Sequence, residues 1–466
     1  MAIIDEDGRI FGTINVVDAL AVLLVLAVAA AGIALVTGSD PGEEGTRHVT
    51  LDLGSQPEYV LEQLDAGDTA SLENEPGNMT ITDTYFTPGE SDPQALARVE
   101  VEGTETENAF TYGGQPLRLG RTLRFETDEY VVNGTIQGVG NRTDLPTQDR
   151  TVILRGTVPN DVAHDAEAGT RTRIANQTVA SITDVAVYDA NRSGQRSLFL
   201  SVDLRAYGNG GSAEFANTRI ESGQELVLPV AGYQFTGEIE RTGGNLTRTS
   251  EDVLVTNVVD ESVARQIEKG DEYRVAGGSI AAVESVAAYG TDDPDRNRVY
   301  VGLSVQALTL GDRPQFGSNR TIREGTWLPF RTDSYEFRGQ IVRTGTATQP
   351  GEAAERTVKL EMQNVTPTKA NSVEVGMTET AAGRTVARVT NVSVEPASVT
   401  LESESGNIYE REHPVNKDVT LTVQLRVREV DTGVRFKGQT MQEGNTLVLD
   451  LGTTTIKAEV VDLDAE

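Results

Sequence analysis

The stretch VASITDVAVY (179–188) is followed by a polar loop and then by SLFLSVDLRAY (197–207). Aliphatic, β-branched and aromatic residues on either side of a polar loop predict two neighbouring β-strands. The same pair occurs three more times, as MTITDTYF (79–86) with ALARVEVEG (95–103), IAAVESVAAY (280–289) with RVYVGLSVQALTL (298–310), and VARVTNVSV (386–394) with VTLTVQLRVREV (419–430). The spacing of roughly 102 residues is that of tandem domains, since solenoid units are shorter.

Each repeat also has a recognisable beginning and end. A short alternating strand opens it, and a short helical segment follows, most clearly as PEYVLEQL (57–64) and SVARQIEKG (262–270). A glycine-led turn comes next and a glycine-led hairpin closes the repeat; these glycines are Gly67, Gly169, Gly270 and Gly376 in the turns, and Gly120, Gly223, Gly325 and Gly444 in the hairpins. The loops inside the strand pairs vary, and ESESGNIYEREHP (402–414) is expected to be a long loop in the fourth repeat.

A tyrosine precedes a glycine by four residues in three of the closing hairpins. The pairs are Tyr130 and Gly134, Tyr233 and Gly237, and Tyr335 and Gly339, while the last repeat has Thr454 and Ala458. We expect each tyrosine to pack on one face with its hydroxyl at the rim. A glycine inside a strand indicates either a bulge or a close approach of another backbone.

These patterns predict a mainly β protein with four tandem modules. Six or seven strands and one short helix in each module suggest a small barrel or sandwich. We place the β-modules at 49–150, 151–251, 252–356 and 357–466.

A different pattern precedes the repeats. The run ALAVLLVLAVAAAGIALV (19–36) has no charge, and as a helix it would be roughly 27 Å long, close to the thickness of a bilayer core. We therefore predict a transmembrane helix at 19–36 that acts as an uncleaved signal anchor. Residues 1–18 form a cytoplasmic N-tail and residues 37–48, TGSDPGEEGTRH, form a linker.

Nine Asn-x-Ser/Thr sequons follow this run, and positive charge alone does not decide the orientation. The sequons favour a large extracellular C-terminal part with glycans on its surface loops. The glycosylation candidates are Asn78, Asn133, Asn141, Asn176, Asn191, Asn245, Asn319, Asn364 and Asn391.

The composition is strongly acidic. Asp and Glu number 71 against 40 Lys and Arg, and the net charge is -31. Because the Debye length is only about 3 Å at molar salt, such self-repulsion is tolerated in a halophilic environment. The acidity argues against nucleic acid as a partner. The sequence contains no Cys, so disulfides do not contribute to its stability.

The chemistry-bearing residues form no catalytic motif. The three histidines, His48, His164 and His413, are isolated, and we predict no catalytic residue, metal centre or cofactor. The best candidate for a cation is the loop with Asp292, Asp293 and Asp295. It lacks the glycine and distal glutamate of a calcium loop, so a solvated acidic turn is the favoured interpretation.

The beginning of the chain resembles a family of prokaryotic membrane proteins, the domain of unknown function 4330 family. The matching residues are Asp5, Gly8, Arg9, Phe11, Gly12, Ile14, Asn15 and Asp18. NVTPTKANSVEVG (364–376) and TVARVTNVSVEP (385–396) are also similar to its module pattern. The resemblance implies a membrane anchor and no particular activity, and the low lysine content with abundant acid indicates a haloarchaeal member.

A second resemblance is to the MCE lipid-transfer modules, through GDEYRVAGGSIAAVESV (270–286). Those modules form rings around a tunnel, whereas the hairpin tips here are acidic. Our leading hypothesis is a membrane-anchored extracellular repeat protein with a structural or binding role in the cell envelope and without catalysis. Its partners would be the lipid bilayer through 19–36, envelope proteins or glycans, and other copies in a homo-oligomer. The alternatives are an MCE-like tunnel, an extracellular enzyme and a pilin-like filament subunit.

Overall fold

The fold is mainly β, as predicted. The computed structural model describes residues 9–10, 14–15, 20–28, 43–71, 77–106, 109–190, 192–208, 213–230, 232–291, 293, 295–317, 319–402 and 408–464. These residues form four antiparallel sheets of eight strands each and a small ladder of β1 (Arg9–Ile10) with β2 (Ile14–Asn15).

The elements of the first two sheets follow one another in the same order. The first sheet and its helix comprise β3 (Glu43–Ser55), α2 (Glu58–Leu61), β4 (Thr69–Ser71), β5 (Asn78–Thr87), β6 (Gln94–Thr106), β7 (Ala109–Tyr112), β8 (Gln115–Pro116), β9 (Thr122–Glu126) and β10 (Val131–Gly140). The second comprises β11 (Thr147–Pro159), α3 (Asn160–Asp165), β12 (Arg171–Ile174), β13 (Gln177–Asp189), β14 (Gln195–Tyr207), β15 (Glu214–Phe215), β16 (Thr218–Arg219), β17 (Glu225–Val230) and β18 (Tyr233–Thr242).

The last two sheets repeat this order. The third comprises β19 (Arg248–Asp260), α4 (Glu261–Ala264), β20 (Glu272–Val275), β21 (Gly278–Gly290), β22 (Arg296–Thr309), β23 (Pro314–Phe316), β24 (Arg320–Thr321), β25 (Trp327–Arg331) and β26 (Glu336–Thr344). The fourth comprises β27 (Glu352–Val365), α5 (Pro367–Ala370), β28 (Thr378–Ala381), β29 (Arg384–Glu402), β30 (Ile408–Val430), β31 (Gly433–Phe436), β32 (Gln439–Met441), β33 (Thr446–Asp450) and β34 (Thr455–Asp462).

All four sheets have the same strand order, which in the third is β20-β21-β22-β19-β26-β25, with the minor hairpin β23–β24 attached to β22. The edge strands β20 and β25 contact each other, so this sheet curls into a half-barrel. The chain divides into two compact units, and the first is Met1–Arg150, Arg171–Ser181 and Asp203–Ile220. The second unit is Thr151–Thr170, Ile182–Val202 and Glu221–Glu466.

Glycine-led turns fasten both edge hairpins to the sheet. In the third sheet, Gly270 N donates a hydrogen bond of 2.8 Å to Val283 O, and Val283 N donates one of 2.9 Å to Asp271 O. At the other edge, Gly325 N donates one of 2.8 Å to Ile341 O. Gly270 has a φ of +96°, a conformation that residues with a Cβ rarely adopt. The same backbone bonds recur in the other three sheets, which explains why these glycines recur in the sequence.

The glycines inside the strands of the closing hairpins allow a close approach between neighbouring strands. A Cβ on Gly339 would lie 2.5 Å from Val255 Cγ2, and one on Gly134 would lie 2.8 Å from Leu51 Cβ. The strand register is continuous at both glycines, so close approach is the correct explanation and a bulge is not. In the fourth sheet Ala458 takes this place and is buried.

Alternating apolar residues of the central strands form the cores. In β22, Val299, Val301, Leu303 and Val305 are at most 1% exposed, and β30 buries Val419, Leu421, Val423 and Leu425 in the same alternation. Side chains two residues apart lie on one face of a strand, so this pattern defines the concave side of each curled sheet.

Two predictions about the repeats were wrong in detail. Each sheet has eight strands and not six or seven, because the minor hairpin after the second long strand was not predicted. Of the predicted loop at 402–414, residues 403–407 lie outside the described residues, and the rest belongs to a ladder in which Ser398 pairs with Glu412 and Glu402 with Ile408. Polar residues fit this ladder because exposed strand faces accept them.

The predicted transmembrane span lies only partly within the described residues. Helix α1 (20–28) falls inside it, while residue 19 and residues 29–36 lie outside the description, as do 1–8 of the N-tail and 37–42 of the linker. Within the described part of the chain, no helix combines the length and the apolar character needed to cross a membrane.

Candidate binding sites at the junctions between sheets

Successive sheets meet through the minor hairpins, and each of the three junctions lies within one compact unit. The ring of Phe316, at the end of β23, lies 5.7 Å from that of Tyr188 in β13, with an angle of 77° between the planes. Phe436, at the end of β31, lies 6.1 Å from Tyr289 in β21. Such edge-to-face contacts between buried rings stabilise beyond the area they bury. The phenylalanine of each of these minor hairpins therefore packs against a buried tyrosine of the preceding sheet.

The junction between the second and third sheets has a buried hydrogen bond at its centre. The Tyr273 hydroxyl, on β20, donates to the Asp189 carboxylate at the end of β13. Arg196 Nη1 lies 3.0 Å from Asp189 Oδ1, and Arg331 Nη1 lies 3.9 Å from Oδ2. Burial raises the pKa of Tyr273, and the bond to Asp189 raises this pKa further, so the tyrosine stays a neutral donor.

The junction between the third and fourth sheets contains a buried ion pair. Glu379, on β28, is 1% exposed, and its Oε1 lies 2.8 Å from Lys437 Nζ. Gly290 N donates to Oε1 at 2.8 Å and Asp450 N donates to Oε2 at 3.3 Å. Lys437 Nζ also donates a bond of 2.7 Å to Val448 O. Burial raises the pKa of Glu379, and the ammonium of Lys437 opposes this rise.

The junction in the first unit encloses a polar cavity of about 380 Å³. Tyr85, Tyr207, Gln94, Asn217 and Glu214 are among its lining residues. Tyr85 is 3% exposed, and its hydroxyl lies near Thr87 and the Tyr207 backbone without a hydrogen bond of good geometry among the described residues. Burial raises the pKa of Tyr85 to about 12. Hydroxyl and amide groups around a cavity of this size suit a small polar ligand.

Two of the three predicted hairpin tyrosines pack as expected. Tyr130 and Tyr335 are 7% and 8% exposed, and their hydroxyls donate to the carboxylates of Asp68 and Asp271. Tyr233 is 40% exposed, so the packing prediction was wrong for the second sheet. Thr170 stands there in place of the aspartate, and the hydroxyl therefore lacks this carboxylate acceptor.

The sequon asparagines that the structure describes are all exposed. These are Asn78, Asn133, Asn141, Asn176, Asn245, Asn319, Asn364 and Asn391. Asn191 lies outside the described residues. Exposure is a requirement for attachment of a glycan, and glycosylation itself stays a prediction.

The acidic loop of the third repeat is only partly described, because Asp292 lies outside it. Asp293 and Asp295 are exposed, and Asp295 N donates a bond of 3.1 Å to Asp293 Oδ1. A solvent-exposed turn commonly forms such a bond between a backbone N–H and one of its own carboxylates. Among the described residues, no three metal-ligating side chains form a group that could hold an ion.

The junction residues were missed by the sequence analysis. Glu379 and Lys437 resemble ordinary surface charges in a polar sequence, and nothing in their spacing links them. One signal was available, because lysine is scarce in this chain and Lys437 precedes a glycine in a short apolar hairpin. Its φ of +53° confirms a tight turn at this position.

Comparison with known proteins finds a match to one family model over part of the chain. Residues 1–94 and 339–464 match the model of a domain of unknown function (DUF4330). Neither a curated protein nor a solved structure matches the chain. The matched residues include the opening motif and most of the fourth repeat, the regions from which the family resemblance was drawn. The chain is therefore similar to the domain of unknown function DUF4330 at its beginning and at its end.

Proposed function

We propose that this protein is a membrane-anchored extracellular repeat protein with a structural or binding role in the cell envelope and no catalytic activity. The observation that carries the proposal is the surface of helix α1. Seven large aliphatic side chains of this helix are 59–65% exposed; they are Leu20, Val22, Leu23, Leu24, Val25, Leu26 and Val28. A helix that is apolar on all sides needs an apolar surrounding, and the uncharged run 19–36 is long enough for a bilayer.

The repeats are proposed to lie outside the cell, with residues 1–18 inside. The exposed sequon asparagines support this orientation, because glycans are attached to surface positions. The net charge of -31 supports a very salty surrounding and a haloarchaeal source. Under such conditions polar surface charge keeps a protein hydrated and soluble.

The junctions support a structural or binding role. Aromatic contacts and a buried ion pair link successive sheets within the second unit, and such contacts would hold neighbouring sheets in place. The polar cavity beside Tyr85 offers a place for a ligand such as part of a glycan. The proposed partners are the bilayer through 19–36, envelope proteins or glycans, and further copies of the chain.

The orientation can be tested by protease shaving of intact cells, followed by mass spectrometry of the released glycopeptides. We expect peptides from 50–466 to be released without lysis, while a cytoplasmic marker protein stays intact. Release only after lysis would reverse the orientation.

A sequon variant adds a matched control. Thr135→Ala removes the sequon at the exposed Asn133, whereas Thr135→Ser keeps it. The mass of the glycopeptide should fall only in the alanine variant. Unmodified Asn133 in both variants would mean that this sequon arose by chance.

The anchor is tested by Leu24→Arg against Leu24→Ile. A charge in the middle of the apolar run should move the protein from the membrane fraction to the soluble fraction, because a charged residue at the bilayer centre is costly. The isoleucine variant should stay with the membrane after alkaline carbonate washing. Equal partition of both variants would contradict the anchor.

A further inference from the structure

A groove in the second unit has an apolar floor and a cationic rim. It lies where β21 and the turn after α4 meet β28, β29 and β30, and its volume is about 760 Å³. The floor contains Val286, Ala287, Ala288, Ala381, Ala382 and Val386. The rim contains Arg265, Lys269, Arg384, Arg426 and Arg428.

The charge of this rim is opposite to that of the protein. Five cationic side chains line the groove against two carboxylates, Glu268 and Glu284. The whole chain has 40 cationic against 71 acidic residues. A local excess of cations on an acidic protein attracts anions into that groove specifically.

Three of the arginines lack a close carboxylate partner. The backbone of Arg384 pairs with Ala381, but its guanidinium forms no ion pair or hydrogen bond with the described residues. Arg428 donates to the backbone carbonyls of Gln349 and Pro350, at 3.0 Å and 2.8 Å, and to that of Gly351, so backbone oxygens already satisfy most of its guanidinium. The nearest carboxylate to Arg426 is Glu355 at 3.9 Å, and the Arg426 side chain is 53% exposed.

The equivalent groove of the preceding junction lacks these arginines. Its floor contains Val185, Ala186 and Val187, and its volume is only about 270 Å³. The pairing of β21 with β22 and of β29 with β30 gives the equivalent positions. Gly278, Gln306 and Leu308 stand there in place of Arg384, Arg426 and Arg428.

The arginine of this smaller groove is already satisfied. Arg248 Nη1 and Nη2 donate to both oxygens of Asp184, each at 2.8 Å. A bidentate ion pair leaves the guanidinium little capacity for another anion. The shared architecture therefore makes a groove at both junctions. In the one between the third and fourth sheets, Arg384 has no carboxylate partner among the described residues and Arg426 has only the distant Glu355.

We infer that this groove binds a small organic anion with an apolar body, such as an acyl or aryl group that carries a carboxylate or sulfonate. The apolar part would lie on the valine and alanine floor, and the acid would pair with Arg384 and Arg426. The volume falls within the range of small-ligand sites, about 300–1,000 Å³. This inference does not depend on the proposed location or role of the protein.

The test uses two dyes with the same apolar body. The first, 1-anilinonaphthalene-8-sulfonate, carries a sulfonate, and the second, N-phenyl-1-naphthylamine, does not. Both are titrated into the full chain and fluorescence gives the affinity. We expect the sulfonate dye to bind more tightly, and we expect salt to weaken only that dye, because the Debye length falls from about 10 Å to about 3 Å between 0.1 and 1 M.

The double variant Arg384→Gln/Arg426→Gln should weaken the sulfonate dye about tenfold or more, since bonds to charged groups contribute strongly. The uncharged dye should be unaffected. Arg388→Gln is the matched control, because it removes an exposed arginine of β29 outside the groove lining. Glu284→Gln should strengthen binding, because it removes a carboxylate from the rim and frees Lys269, whose Nζ lies 3.9 Å from Glu284.

Equal affinity of wild type and double variant for the sulfonate dye would overturn the inference, as would weaker binding in Glu284→Gln. If the double variant does not fold, the affinities of the two dyes for wild type and for Glu284→Gln still test the inference. Equal affinity of wild type for both dyes would then overturn it. Flotation with vesicles of anionic lipid is the last arm. Vesicle binding that depends on Arg384 and Arg426, without dye binding, would assign the groove to a membrane surface and overturn the small-ligand inference.

Discussion

Lys437 Nζ lies 2.8 Å from Glu379 Oε1, at a place where only 1% of the Glu379 side chain is exposed. We expect Lys437→Met to destabilise the fourth sheet by about 3–5 kcal/mol, because it leaves a buried carboxylate without its counter-charge. The double variant Glu379→Gln/Lys437→Met should be more stable than Lys437→Met alone. Urea unfolding with hydrogen exchange of peptides from β28 and β31 measures this, and equal stability of the two variants would contradict it.

The same carboxyl gives a pH dependence. Burial raises the Glu379 pKa above its usual 4.5, so the folded protein holds this proton more tightly than the unfolded chain does. The contribution to stability is therefore fully present below pH 4.5 and is lost as the pH rises through the raised pKa. Relative to Glu379→Gln, the wild type should lose stability over this window. The prediction would be contradicted if the stability of the wild type, relative to that of Glu379→Gln, stayed constant or rose with increasing pH.

The buried tyrosines predict a contrast between two Tyr→Phe variants. Tyr335→Phe removes the bond to Asp271 and should cost about 1–3 kcal/mol. Tyr85→Phe removes a buried hydroxyl that has no hydrogen bond of good geometry among the described residues, so it should be neutral or stabilising. Denaturant unfolding compares them, and a larger loss in Tyr85→Phe would show that its hydroxyl is paired. Absorbance titration of the wild type should show Tyr85 ionising with a pKa of about 12.

The close approach at Gly339 predicts that a single methyl group is harmful. A Cβ there would lie 2.5 Å from Val255 Cγ2, so Gly339→Ala should cost about 1–3 kcal/mol through overpacking. Ala458→Gly, at the equivalent place of the fourth sheet, should cost at most about 1 kcal/mol. Thermal unfolding of both variants tests this. Tolerance of Gly339→Ala would mean that the strands separate easily.

The long strands could be predicted because burial on one face leaves a period of two in the sequence. Apolar residues alternate from Val299 to Val305 in β22 and from Val419 to Val427 in β30, and the recurring turn glycines mark the same places in every sheet. The minor hairpins could not be predicted in this way. β15 and β16 have two residues each, which is too short for any period to appear.

The junction chemistry could not be predicted for another reason. The buried carboxylate of Glu379 is stabilised by a hydrogen bond from Gly290 N and an ion pair with Lys437, and both residues are distant from it in sequence. An isolated Glu or Lys in a strand is usually solvated, so the sequence gives no sign of this contact. Only the stacking of one sheet against the next converts these charges into a buried pair. The cationic groove is similar, since its arginines come from separate strands.

Tyr273 and Glu379 occupy the second position of equivalent strands, and Asp189 and Gly290 occupy the last position of the strands that they meet. Excising the third repeat would bring Glu379 against Asp189, so that two carboxylates would replace a donor and an acceptor. The copies are therefore not interchangeable, and recombination that shortened the array at this point would create a repulsive contact. The contact at each of these two junctions therefore fits only its own pair of neighbouring repeats.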